Sequence, residues 1–585
     1  MEEQNIDAVI IGTNDPHMSP SVASHWRAVQ WLTGFSGSLA SCAVTKNASA
    51  FWTDGRYTLQ AKRELESSQT EIYTLSDRSA PDTVEWIENN IQHGGCVALD
   101  MSLVSLSEGR ALCGRLASLG ISVRGLDLIS EVWRGRPEIP NKKLFELSAA
   151  YAGLPRAEKI NSVREKMAEA KTDCYLCCQL DSVAWLTNLR GGDNKLYPVF
   201  HSYLLFTEHE TYLFLDTSKL SEELRSKLCS ESFTIKPSEA LPEIIKRESE
   251  NKTVYIDAFK TSYKLYSYLS KTSRIIEGMD FITQIKARKN PAEQENIRKS
   301  NVKECLAVCR LIKYIKENAG NIPMNEFSVG EKMAEFRKLD SEFLQAANVP
   351  IVAVGENAAL PHYKPTKESA MPVEKSGFLL FDLCAHYLTG STDITRTIQL
   401  GELTEEMRRD YTFVLKSHIA LAALTFPFGV TGAVLDGIVK SYHWRNHMNY
   451  DTGTGHGIGF CMDIHEGPCK IVMDYTPFFP YAAITPLDTG MLFSNEPGVY
   501  KKGRHGIRLE NDVLVQEDVT NEFGRFLKFE TVTFCPFEQG AIIAELLTPQ
   551  EREWLNSYHK TTYEKISPHM TEEEKKWLMH ETLPI

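Results

Sequence analysis

No stretch of this chain approaches the ~18 consecutive apolar residues that a membrane-spanning helix needs, so no such helix is expected. The opening Met1-Glu2-Glu3 is acidic where a targeting peptide is basic, and no apolar segment follows; a cytoplasmic protein is expected. Basic charge is also short, with 64 Lys and Arg against 77 Asp and Glu, a net charge of −13. That field repels polyanions, so neither nucleic acid nor an anionic membrane is expected as a partner. Low-complexity tracts are absent, and the 13 cysteines have none of the dense spacing of a disulfide framework. They are expected as reduced thiols. Cys174, Cys177 and Cys178 include a C-x-x-C, but no second pair follows at zinc-site spacing, and they read as structural residues of a buried strand.

What is present is a globular composition, 42% hydrophobic and 24% charged over 585 residues, enough for three or four domains of roughly 150 residues. Two segments resemble each other. Trp31-Leu32-Thr33-Gly34-Phe35 precedes Phe51-Trp52-Thr53-Asp54, and Trp185-Leu186-Thr187-Asn188-Leu189 precedes Leu213-Phe214-Leu215-Asp216, each among strand-like apolar runs such as Ala8 to Ile11. Helical stretches intervene at Thr58 to Glu66 and Ala157 to Glu169. This pattern predicts two related α/β domains in tandem, over 1–145 and 146–285, with a linker near Arg134 to Lys143. A long amphipathic helix is expected from Ala292 to Asn318, opening a larger α+β domain over 286–585 that ends in helices anchored by Trp554-Leu555 and Trp577-Leu578.

The chemistry-bearing residues lie in that last region. Phe378 to Asp382 reads as a buried strand ending in a carboxylate, and Ser391 to Ile398 alternates apolar with polar. A reversal near Thr389-Gly390 joins them as a hairpin. Asp382 and Asp393 then share a face, directly opposite or staggered according to the turn. Met491 to Glu496 and Gly506 to Val513 form a second pair; a turn centred on Gly503 sets Glu496 opposite Glu510. Like charges that close need something positive between them.

Between the hairpins stand Gly453-Thr454-Gly455-His456-Gly457-Ile458-Gly459 and His465-Glu466-Gly467-Pro468. The glycines are expected to let the backbone approach a ligand and leave the His456 imidazole exposed in a cleft. The segment lacks G-x-G-x-x-G spacing and a Walker lysine, so a nucleotide is not expected. His362 stands in a loop before the first carboxylate. Singly, each acid reads as a solvated or salt-bridged strand residue, and Glu466 as a surface charge. Together, Asp382, Asp393, Glu496, Glu510 and His456 form a hard, oxygen-rich set that suits two divalent cations, manganese first, with cobalt or zinc as alternatives.

In Thr392-Asp393-Ile394-Thr395-Arg396-Thr397, Gly453 to Gly457, His465 to Pro468, Glu496-Pro497-Gly498, Ile507 to Asn511 and the ending Trp554 to His559, the sequence resembles the aminopeptidase P (Xaa-Pro aminopeptidase) family of pita-bread metallopeptidases, in its three-domain form. The resemblance implies two creatinase-N-like α/β domains followed by a pita-bread catalytic domain. It implies Asp382, Asp393, His456, Glu496 and Glu510 as ligands of a dinuclear centre, with Asp393 and Glu510 bridging. It further implies His362, His465 and Glu496 as catalytic groups, and His362, His465 and Arg508 as substrate-binding ones. The implied reaction is release of the first residue from peptides with proline second, by attack of a hydroxide bridging two metal ions, in a homodimer. Alternatives are a prolidase-like Xaa-Pro dipeptidase and a non-catalytic pita-bread peptide-binding protein. Two departures from the family pattern stand out: Thr452 where a histidine is common, and Leu383-Cys384 where a small residue and a glycine are usual.

Overall fold

The computed structural model of the chain describes residues 1–585 apart from positions 56, 76, 78 and 474–479. It forms two compact units, one made of 1–147 with 154–283, the other of 148–153 with 284–585.

The first unit is built twice from one plan. Strands β1 (Ala8–Gly12), β2 (Ser41–Thr45), β3 (Ser49–Thr53), β4 (Glu71–Thr74), β5 (Cys96–Leu99) and β6 (Ser122–Gly125) form a sheet in the order β4-β3-β2-β1-β5-β6. Strands β7 (Cys174–Cys177), β8 (Ser202–Phe206), β9 (Thr211–Leu215), β10 (Phe233–Lys236), β11 (Thr253–Ile256) and β12 (Arg274–Glu277) repeat it as β10-β9-β8-β7-β11-β12. In each sheet the first strand of the repeat is paired on both edges, antiparallel on one side and parallel on the other. A strand in that position is covered on both faces, which explains the unbroken apolar runs Ala8 to Ile11 and Cys174 to Cys178. The three clustered cysteines are free and buried there. The repeated Trp-Leu-Thr motif is the last turn of a short helix, Ala28–Thr33 in one half and Leu180–Thr187 in the other. Each ends on a left-handed residue, Gly34 at φ 83° and Asn188 at φ 50°, the two residue types that take this conformation most readily. The expected helices run Thr58–Glu64 and Arg156–Glu169.

The second unit opens with α1 (Pro291–Asn318), started by a capping box in which Asn290 and Glu293 exchange side chain and backbone bonds. Residues 148–153 pack on this start, Asn290 Nδ2 donating to Ala152 O at 2.9 Å. Two sheets follow. In the first, β13 (Phe343–Ala346) and β14 (Ile351–Val354) share one edge of β15 (Phe378–Tyr387), and β16 (Gly390–Gln399) takes the other. The strand expected to end at Asp382 therefore continues to Tyr387, because β13 supplies a second partner beyond the reach of β14. The second sheet orders β17 (Thr425–Pro427), β18 (Gly455–Gly457), β19 (Glu466–Ile471), β20 (Leu492–Asn495), β23 (Asn511–Asn521) and β24 (Gly524–Thr531) as β17-β24-β23-β20-β18-β19. Between β20 and β23 the hairpin of β21 (Gly498–Lys501) and β22 (His505–Arg508) projects as a separate ladder. Helices α2 (Glu326–Arg337), α3 (Glu405–Ala422) and α4 (Gly432–Trp444) and the terminal α5 (Pro549–Ile566) and α6 (Glu572–Glu581) contribute apolar faces to the cores against these strands.

Candidate metal centre

The β15–β16 hairpin places its acids by register. Cys384 pairs with Asp393 and Asp382 with Thr395, so Asp382 and Asp393 share a face staggered by two positions, the second of the two registers the sequence allowed. The other acids follow from one symmetry about residue 503. Gly498 pairs with Arg508 in the projecting hairpin, and Asn495 with Asn511 in the large sheet, so the two ladders share a register with Glu496 and Glu510 at the gap between them. In that gap the backbone turns to other segments: Glu496 N donates to Thr454 O at 2.8 Å, and Glu510 N to Thr395 O at 3.1 Å. The two glutamates thus meet the strand that carries His456 and the strand that carries Asp393.

His456 Nε2 lies 3.6 Å from Asp393 Oδ2 and 3.4 Å from Glu496 Oε1. One donor atom each from Asp393, His456 and Glu510 lies within 4.8 Å of the others. The His465 ring packs on that of His456 with centroids 4.3 Å apart. His362 is not among the residues these contacts join; it sits half-buried in the loop after the short helix Gly355–Ala359, where its neighbour Tyr363 bonds Glu326 Oε2 at 3.0 Å. The glycine frame corrects one expectation. A Cβ at Gly455 would stand 2.1 Å from Ser494 O and one at Gly457 2.4 Å from Glu466 O, so these glycines permit close strand packing. His456 itself is buried rather than exposed in a cleft.

Arg508 is buried with its guanidinium engaged on three sides: Asp382 Oδ2 at 2.6 Å, Tyr500 Oη at 2.8 Å and Thr395 Oγ1 at 3.1 Å. Thr395 in turn donates to Glu510 Oε2 at 2.6 Å, and Ser494 joins His456 N to Glu496 Oε1. Both hydroxyls lie two residues from an acid, so strand alternation could have flagged them. Asn348, which donates to Asp382 Oδ1 at 3.1 Å, had no such signal. Glu466 is not a surface charge. It is buried at the start of β19 between the ammonium groups of Lys286 and Lys289, themselves buried. Two distant motifs also meet, since Arg396 bonds Glu510 O at 2.6 Å and Tyr558 Oη at 3.0 Å, tying the terminal helix to the acid pair.

The electrostatics call for cations. Burial, then the charges of Asp382 and Asp512, push the Asp393 carboxyl well above its usual range, and burial with Asp393 does the same to Glu510. Burial pushes Glu496 up to about 7 against the pull of Arg508. Burial, helped by the Lys470 charge, lowers His456 to about 3, leaving a neutral imidazole able to ligate. Four carboxylates, Asp393 and Glu510 buried and Asp382 and Glu496 half-buried, and one neutral imidazole, with the Arg508 guanidinium bonded to Asp382 among them, fit hard divalent cations.

Comparisons with known proteins agree along the whole chain. Metallopeptidase family M24 matches residues 295–517, its C-terminal region 525–585, and the creatinase/prolidase N-terminal domain both 1–127 and 135–293. A probable Xaa-Pro aminopeptidase P of Pyricularia oryzae is 34% identical, covering 100% of this chain and 97% of its own. Xaa-Pro aminopeptidase 1 of Dictyostelium discoideum is 32% identical, covering 100% and 95%. Among solved structures, the X-prolyl aminopeptidase of Caenorhabditis elegans, a cytosolic enzyme with a di-nuclear active site, matches with a TM-score of 0.93 at 29% identity over 99% of this chain and 95% of that one. An Xaa-Pro dipeptidase from Bacillus anthracis, 21% identical with a TM-score of 0.50, shares the fold over 66% of this chain and 99% of that one.

Fold and acid cluster define the class expected from the sequence, two creatinase-type N-terminal domains followed by a pita-bread metallopeptidase domain. Within it, the chain belongs to the aminopeptidase P family, the Xaa-Pro aminopeptidases of metallopeptidase family M24.

Proposed function

We propose that this chain is a metal-dependent aminopeptidase that releases the N-terminal residue from peptides with proline in the second position. The observation that carries the reading is the convergence of Asp382, Asp393, His456, Glu496 and Glu510 in one buried to half-buried cluster, on a chain matched end to end by proteins named for this activity. These five residues would hold two divalent cations. When bound, such a pair supplies a water of lowered pKa at neutral pH and polarises the scissile carbonyl. Manganese is favoured because all but one of the five donors is a carboxylate, with cobalt or zinc as substitutes.

The remaining steps belong to the chain's own groups. Glu496, held by Ser494 at Oε1, takes the proton of the attacking water and returns it to the leaving proline nitrogen. His465, packed on His456, donates a hydrogen bond to the developing oxyanion, and His362 holds the carbonyl after proline. Arg508 acts as a positioning residue rather than a substrate contact, because its guanidinium is committed to Asp382, Thr395 and Tyr500. A free α-amino group on the substrate is met by the acid cluster, which confines cleavage to the first bond. Proline has no amide hydrogen and a fixed φ, so a pocket shaped for the ring accepts what strand-binding peptidases reject.

We divide the chain into 1–145, 146–285 and 286–585. A homodimer is supported by exposed apolar residues of the catalytic unit, among them Val434 and Ile438 one turn apart on α4. A cytosolic location is supported by 13 free thiols and by the cytosolic C. elegans relative, and among the described residues no helix is long and apolar enough to cross a membrane.

The test is hydrolysis of an Arg-Pro-Pro peptide and an Xaa-Pro dipeptide by the metal-stripped chain with and without Mn2+. Release of arginine only with metal, abolished in His456→Ala, is the expected result. Cleavage of the dipeptide alone would support the prolidase reading, and full metal-independent activity in the variant would refute the proposal.

A further inference from the structure

One buried nucleophilic group is left without a part in that reaction. Cys384 lies on the same strand face as Asp382, two residues before it, and directly across the ladder from Asp393. Its Sγ stands 2.9 Å from Asp393 Oδ1 and 3.7 Å from Asp382 Oδ1. One donor atom each from Asp382, Cys384 and Asp393 lies within 4.8 Å of the others. Asn348 holds the arrangement, its Nδ2 donating to Asp382 Oδ1 at 3.1 Å while its Oδ1 accepts from Cys384 N at 3.0 Å. Cys384 is only 4% exposed, so the sulfur is directed into the cluster rather than to solvent. Donors that share one cation, with metal–sulfur near 2.3 Å and metal–oxygen near 2.1 Å, stand roughly 3 to 3.6 Å apart. The sulfur is already close to that spacing from both acids.

We propose that Cys384 is a sulfur donor of the metal centre, beside Asp382 and Asp393, and that it biases the position they share toward thiophilic divalent cations such as zinc, cobalt and cadmium over manganese. The inference rests on the metal-centre reading and adds a selectivity that the carboxylates alone do not have, because a soft donor favours soft or borderline ions. Ligation forms one metal–sulfur bond and breaks one S–H bond. The proton passes to bulk solvent and no electron is transferred.

The test uses the full chain, stripped of metal and reloaded with Co2+. Wild type should show thiolate-to-cobalt charge-transfer absorption in the near ultraviolet, and Cys384→Ser and Cys384→Ala should lack it while keeping the d–d bands of cobalt held by carboxylate and imidazole. By competition calorimetry, the affinity for Cd2+ relative to Mn2+ should fall about tenfold in both variants. A wild-type spectrum with d–d bands and no charge-transfer band, a charge-transfer band retained in the variants, or an unchanged cadmium-to-manganese ratio would overturn the sulfur ligand and leave the metal-centre reading standing. Failure of the wild-type chain to bind cobalt at all would overturn both. The wild-type spectrum is decisive by itself, so the test holds even if a variant fails to fold.

Discussion

Replacing Glu466 by glutamine should unfold the catalytic unit more readily than any change of a surface acid. Glu466 is 2% exposed and is shared by two ammonium groups, Lys286 at 2.6 Å and Lys289, whose side chains are 0% and 1% exposed. At an effective dielectric of about 20, one pair at 2.6 Å is worth about 6 kcal/mol before desolvation is subtracted. The amide has one acceptor oxygen where the carboxylate has two, so it would keep a hydrogen bond to one lysine, turn its NH2 donor toward the other ammonium, and remove the negative charge between two buried cations. Breaking a buried pair in this way costs about 3–5 kcal/mol. We expect the lower part of that range, about 3 kcal/mol, because the amide oxygen can still accept a hydrogen bond from one of the lysines. Urea unfolding followed by intrinsic fluorescence measures the loss. Because His465 precedes Glu466 in the chain, kcat should fall with the stability. The triple change Glu466→Leu, Lys286→Met, Lys289→Met should recover most of the stability, since well-packed apolar side chains replace buried ions with little cost. A loss below about 1 kcal/mol in Glu466→Gln would refute the reasoning, since that is the range of an exposed pair.

Acid should weaken the fold through its buried histidines. Burial lowers His418 and His559 to about 3 and His443 to about 4, whereas in the unfolded chain they titrate near 6.5. The contribution is whole above pH 6.5 and is lost as the pH falls toward 3–4, at about 1.4 kcal/mol per pH unit for each group. His559→Gln, which keeps an acceptor for Phe537 N, should reduce the slope of unfolding free energy against pH by one proton's worth; an unchanged slope would show that His559 is not held neutral. Arg508→Lys should weaken metal affinity about 10- to 100-fold, because one ammonium cannot reach Asp382, Tyr500 and Thr395 together as the planar fork does. Metal content after dialysis against a graded chelator reads this, and wild-type retention would refute the positioning role.

Much of the site was legible because strands obey simple arithmetic. Period-two alternation put Asp382 with Asp393, and symmetry about Gly503 put Glu496 against Glu510, with no knowledge of the surrounding fold. The duplication in the first unit was visible in its Trp-Leu-Thr motifs, which mark helix ends requiring a left-handed residue. The same arithmetic could not show that the ladder breaks at Glu496 and Glu510, because the break depends on Thr454 and Thr395 arriving from other segments. The burial of Lys286 and Lys289 had no signal, since nothing near them in sequence announces an acid 177 or more residues away. His456 was expected to be exposed because glycine was read as access, whereas here it serves close contact between backbones.

That break gives the molecule a mechanical character. Where a continuous ladder would have bound each strand only to its neighbour, the amides of Glu496 and Glu510 cross-stitch the smaller sheet, the His456 strand and the projecting hairpin at one joint. Any sliding of one layer over another would have to pull those two residues apart, so the acids that gather the cations also lock the alignment of the layers. Slow deuterium uptake at these two amides, persisting when the hairpin tip around Gly503 has exchanged, would be the signature of that joint, and occupancy of the centre should slow it further.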